Sequence, residues 1–145
     1  NVMRNGVSAA SGLSGNECDR DERIRRFSLR LGGEAVRIGQ ALGYALEPIQ
    51  KIAPEVLAAA EGGDAAALEK AEAQILATLA AGPSMGQDIM KGRKTEIEQI
   101  NGFVVAEGAK AGLAAPANAA LTAIVGRVER GEIPARPENI QGINA

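Results

Sequence analysis

An all-α fold follows from three observations on this 145-residue sequence. Apolar residues recur at steps of three and four nearly everywhere, the period of a helix with one buried face. No segment alternates with period two for long enough to make a sheet. Capping residues and glycines punctuate the helical stretches at short intervals. The length fits a single domain, residues 1–145. With 46% hydrophobic but only 2% aromatic residues, its core must be built from Ala, Leu, Ile and Val.

The longest stripe is Ile24, Phe27, Leu31, Ala35, Ile38, Leu42 and Ala45. Asp19 suits its N-cap, with Glu22 three residues later, and Gly43 suits its end. A short helix is expected from Pro54, where a missing N–H costs nothing, to Gly62-Gly63. Asp64 then caps a helix that buries Leu68, Ala71, Ile75 and Leu79 and stops at Gly82-Pro83. Ser84 and Gln87 have capping-box spacing for a brief helix ending near Gly92. Thr95 and Glu98 repeat that signal before Ile97, Ile100, Val104, Gly108 and Ala111, and Gly112 closes this helix. Pro116 opens the last one, with Leu121, Ile124, Val125 and Val128 apolar, ending at Gly131. Residues 132–145, with two prolines, are expected to be an extended or loosely attached tail. The row Ala35, Gly39, Gly43 has almost no side-chain bulk and predicts that Gly39 sits against another helix. Gly108 and Gly112 offer a second such groove.

Composition excludes much chemistry. No histidine is present, which removes Ser-His and Cys-His dyads and imidazole ligands. One cysteine, Cys18, allows no internal disulfide and no zinc cluster, and a free thiol without a secretory signal points to the cytoplasm. Sixteen basic against 18 acidic residues leave a net charge of −2, with no global field for nucleic acid or an anionic membrane. No apolar run approaches the roughly 18 residues of a membrane span. The arginines 20, 23, 25, 26, 30 and 37 interleave with Asp19, Asp21, Glu22 and Glu34, the pattern of a solvated helix face. Cys18, Ser14, Ser84 and Thr95 lack an activating base. The chain opens on Asn1 without methionine or leader, as a piece of a larger protein would.

Two polar clusters remain. Asn1 and Asn5, four apart, share one face if the opening segment is helical. The second runs Ser84-Met85-Gly86-Gln87-Asp88 and then Gly92-Arg93-Lys94-Thr95-Glu96-Ile97-Glu98-Gln99-Ile100-Asn101-Gly102. Capping explains Ser84, Gln87, Thr95 and Glu98. It leaves Glu96 unexplained, and Asn101-Gly102 is locally unfavourable in mid-helix.

That second cluster, S-M-x-Q-D-(x)-M-x-G-R-K-T-E-I-E-x-I-N-G-x-V-V, closely resembles the helical C-terminal domain of ketopantoate reductases. The resemblance continues through Ala106-Glu107-Gly108, Gly112, Pro116, Asn118, Leu121 and Val125. Asn1-x-x-x-Asn5-x-x-Ser8-Ala9-x-Ser11-Gly12-Leu13 looks like that domain's opening helix. Residues 18–80 match only in helical pattern and spacing.

The resemblance implies a helical domain like that of 6-phosphogluconate dehydrogenases, joined to an N-terminal Rossmann domain that binds NADPH. A 2-keto acid, 2-dehydropantoate above all, would lie between them and be reduced, a lysine protonating the alkoxide. Carried over by position, Asn1, Asn5, Ser84 and Glu96 would be substrate-binding residues. The family's lysine lies four positions before Asn1, so no catalytic residue is expected in this chain, and there is no glycine-rich dinucleotide fingerprint. The fragment alone is therefore expected to be inactive. Ala81 stands where members often carry asparagine, which bears on the keto acid accepted. The oligomeric state stays open, a homodimer included. So does a second class of function, a non-catalytic helical interaction or oligomerisation module of the same shape.

Overall fold

Local capping chemistry divides the chain into short helices. The computed structural model describes residues 2–81 and 96–143. They form α1 (Asn5–Ser11), α2 (Gly15–Arg20), α3 (Glu22–Ala41), α4 (Pro54–Glu61), α5 (Ala65–Ala80), a π turn (Glu98–Gly102), α6 (Phe103–Lys110), α7 (Pro116–Glu129) and α8 (Glu138–Gln141). The fold is all-α, with no strand among the described residues. The brief helix expected after Ser84, and the Thr95 cap, lie outside the described residues.

Asp21, rather than Asp19, starts the long helix. Its carboxylate accepts from the Ile24 N–H at 3.0 Å, while its Oδ2 accepts from Gln141 Nε2 at 2.7 Å. Asp19 belongs to α2, is 4% exposed and pairs with Arg4. Burial pushes its carboxyl above the ordinary range, against the pull of Arg4 and Arg25. Ser14 opens α2 through a reciprocal capping box with Glu17 that the sequence expectations lack. The Asp64 cap forms as expected, accepting from the Ala67 N–H at 3.1 Å. Gly12, Gly43, Gly63, Gly112 and Gly131 take positive φ where helices or their trailing turns end.

Helix α3 is the shared wall of two apolar cores and touches α2, α4, α5, α6, α7 and α8. Ile24, Phe27 and Leu31 face a cluster with Val7, Ala10, Ile97, Leu121, Val125 and Ile140. Leu29 and Val36 face the other, with Met3, Ile52, Leu57, Ala71 and Ile75. A single stripe therefore understates its burial, and the helix ends at Ala41, leaving Ala45 outside it and exposed. Arg25 and Glu72 join α3 to α5 across 3.1 Å. Cys18 is buried, its Sγ 3.5 Å from Ser11 Oγ, and desolvation pushes its thiol up. That suits a packing residue rather than a nucleophile.

Close helix approach occurs at Gly33. A methyl there would lie 2.4 Å from Glu61 Cβ and 2.7 Å from the Leu57 carbonyl oxygen of α4. Gly39, the position the small-residue row favours, faces instead the Leu46 methyls of the following loop at 3.1 Å. Gly108 does meet α3, at Ile38 Cδ1.

The tail also differs from expectation. Residues 133–143 dock on α1 and α3 because Ile140 is apolar enough to enter the core, at 2% exposure. Arg136 N and Asn139 Nδ2 both donate to the Ala10 carbonyl, at 3.1 and 2.9 Å. The prolines turn this tail rather than free it.

Among the interleaved acids, Glu34 breaks furthest from the solvated-face reading. It is 0% exposed. Helix α7 begins Ala115-Pro116 and has no side-chain cap of its own. Glu34 supplies one from across the fold: Oε2 accepts from Ala117 N at 2.9 Å and Oε1 from Asn118 N at 3.0 Å. Asn118 Nδ2 adds a third bond to Oε1 at 2.8 Å. A carboxylate at a helix start also meets the favourable end of the helix dipole.

Two outcomes follow for stability. Gly33→Ala should lower Tm, overpacking costing about 1–3 kcal/mol. Gly39→Ala should raise it slightly, because the flexible Leu46 can yield and the helix gains up to about 1 kcal/mol of propensity. Thermal melts that show the same sign for both would contradict the packing described. In urea titrations, Glu34→Ala should cost about 3 kcal/mol or more, since three buried donors lose their acceptor, and Glu34→Gln roughly half of that.

Candidate functional site

Asn5 is the first residue of α1 and is partly buried. Glu96 is exposed and stands at the start of the next described helical stretch, its carbonyl accepting from Ile100 N at 3.0 Å. Neither side chain is engaged in a hydrogen bond or ion pair with another described residue. Asn1 and Ser84 lie outside the described residues.

Packing brings the surroundings of Asn5 and Glu96 together. Ile97, next to Glu96, is buried, and Gly6, next to Asn5, is the hole that receives it. A methyl at Gly6 would lie 2.8 Å from both Ile97 Cδ1 and Leu121 Cδ2. Glycine is needed there for close approach, so the smallness of Gly6 sets how near the two candidate residues stand.

The mid-helix Asn101-Gly102 resolves into the π turn. One extra residue per turn widens the helix locally, a feature frequent at functional sites. Asn101 points inward and is 1% exposed. Its Nδ2 donates to the Val2 carbonyl at 3.0 Å and to Asn118 Oδ1 at 2.8 Å. Asn118 in turn donates to Glu34 and, at 3.3 Å, to the Leu31 carbonyl. Sequence reasoning singled out Asn101 for breaking a local rule but gave it no role. Asn118 stands out in the sequence only within the family motif, and Glu34 is buried where the charge pattern predicts a solvated face.

Among the described residues no group of three or more Cys, Asp or Glu side chains is arranged to hold a metal ion. No described helix is long and apolar enough to cross a membrane. No strand leads into a glycine-rich turn there, so the described residues do not fit a dinucleotide pyrophosphate. An open groove of about 450 Å³ runs between the π turn, α6 and α7, lined by Glu98, Gly102, Val105, Thr122 and Arg127. Neither Asn5 nor Glu96 lines it, and small side chains on two crossing helices account for it.

Comparison with known proteins agrees with the motif and with the helical architecture. The 2-dehydropantoate 2-reductase of Vibrio cholerae serotype O1 (strain ATCC 39315 / El Tor Inaba N16961) is 38% identical over 74 residues, which is 50% of this chain and 25% of that protein. The chain thus aligns with a minor part of that relative's length. No solved structure matches significantly. The family model described as ketopantoate reductase PanE/ApbA C terminal matches residues 1–129, through the last residue of α7. That match takes in both candidate clusters and the helices that seat them, and the chain belongs to the family of ketopantoate reductase C-terminal domains.

Proposed function

We propose that this chain is the substrate-binding half of an NADPH-dependent 2-keto acid reductase of the cytoplasm, which converts 2-dehydropantoate to pantoate. Family membership supports the reaction class. The observation that carries the site is the seating of Ile97 over Gly6, which draws the neighbours of Asn5 and Glu96 into contact. Two polar residues far apart in sequence are thereby carried on touching segments, and neither is engaged by another described residue, which supports a ligand site there.

The proposed division of labour follows from side-chain chemistry. Asn1 and Asn5 offer amide N–H donors and carbonyl acceptors to a keto acid's carboxylate and hydroxyl. Ser84 adds a hydroxyl that both donates and accepts. Glu96 only accepts while ionised, so it suits the ammonium of a proton-donating lysine better than the substrate's own carboxylate. The dinucleotide and that lysine would come from outside the 145 residues, the dinucleotide on a Rossmann domain whose face closes over α1 and the Glu96 turn.

Two measurements test this reading. The purified 145-residue chain should not consume NADPH in the presence of 2-dehydropantoate, and steady consumption would contradict the division of labour. In a full-length enzyme carrying this domain, Glu96→Ala should lower kcat/KM for the keto acid on the order of 100-fold. An unchanged value would remove Glu96 from the site.

A further inference from the structure

We propose that Asn101 is a positioning residue for substrate binding, holding the turn that leads into Asn5 at a fixed height against the turn that begins at Glu96. The inference rests on the functional reading above and deepens it.

Val2 precedes α1, so its carbonyl has no partner within that helix. The partner is Asn101 Nδ2, 99 residues later, at 3.0 Å. An amide nitrogen carries two hydrogens, and the second goes to Asn118 Oδ1 at 2.8 Å. Neither amide has freedom to flip. Asn118 must turn its NH2 toward Glu34, a carboxylate that only accepts, and toward the Leu31 carbonyl. Its oxygen is thereby aimed at Asn101, which must answer with its own NH2. Asn101 therefore donates both ways, to the Val2 carbonyl on one side and to Asn118 on the other, and Asn118 donates onward to a carboxylate fixed on α3. A polar network with both amide NH2 groups used in this way specifies one arrangement rather than several.

The π turn is what places Asn101 in this line. It lies five residues after Glu96, about one π turn, so the segment that carries Glu96 is the segment that grips Val2. Ile97 over Gly6 is a second, apolar contact between the same two segments. One polar and one apolar tie leave little room for the α1 start to slide along the Glu96 turn. Misplacement by about 1 Å is enough to weaken a bound-state geometry strongly.

The test uses the full-length enzyme and Asn101→Asp, a near-isosteric change that sets oxygen against the Val2 carbonyl and Asn118 Oδ1. The expected result is a KM for the keto acid raised by about tenfold or more, with the KM for NADPH within about twofold. Asn5→Ala should then add little in the Asn101→Asp background, because the two act through one position. If Asn101→Asp does not accumulate as folded protein, Asn101→Ser, which keeps a donor in less space, is measured in the same way. A lower Tm with unchanged KM, or full additivity with Asn5→Ala, overturns the inference while the functional reading stands. Normal keto acid kinetics in both Asn5→Ala and Glu96→Ala overturn the functional reading and this inference with it.

Discussion

The carboxylate of Glu34 is where the two ends of the chain are made to agree. Helix α7 starts at a proline preceded by alanine, so it has free N–H groups and no local side chain to receive them. Glu34 receives them from the middle of α3, and the bonds are fully buried. A buried carboxylate is tolerable only with its acceptors used, and a buried helix start only with its donors used. Each side chain or backbone group here cancels the other's cost. The angle between α3 and α7 follows, because moving either helix would strand both. Asn118, Asn101 and Val2 are then positioned in succession from that fixed point.

Local signals were legible in the sequence and tertiary ones were not. Asp64, Pro54 and Pro116 mark helix starts by chemistry confined to a few residues, and the structure keeps all three. The sequence favours Asp19 as the cap of the long helix, and Asp21, two residues on, takes that place. Which one caps depends on where Arg4 sits, and that is decided by the fold. Glu34 looked like one more acid among arginines because its partners are 83 and 84 residues away. Gly39 and Gly33 differ only in what packs over them, so residue type alone could not rank them. The prolines of the tail suggested detachment, whereas Ile140 and Asn139 decide its docking.

The candidate site was legible for a different reason. Glu96, Asn101 and Gly102 stand where helix propensity disfavours or does not explain them, and a local rule broken without local gain marks a constraint from elsewhere. That signal located the segment without telling apart an exposed residue available to a ligand from a buried one that holds the frame. Glu96 is exposed, and Asn101 is buried. Exposed and buried polar groups thus occupy adjacent turns of one helical stretch.

The same carboxylate links segments that are made far apart in time. Helix α1 leaves the ribosome early, yet its inner residues Val7 and Ala10 share their cluster with Leu121, Val125 and Ile140. Contacts of such sequence separation form late, after the loop between them has closed. Until Pro116 and the residues after it emerge, Glu34 has no donors, and sealing it into an apolar core would strand a charge. The growing chain can pair α3 with α4 and α5, which need only Met3, Leu29, Val36 and their cluster. Glu34 therefore ties completion of the first cluster to the presence of the helix it caps.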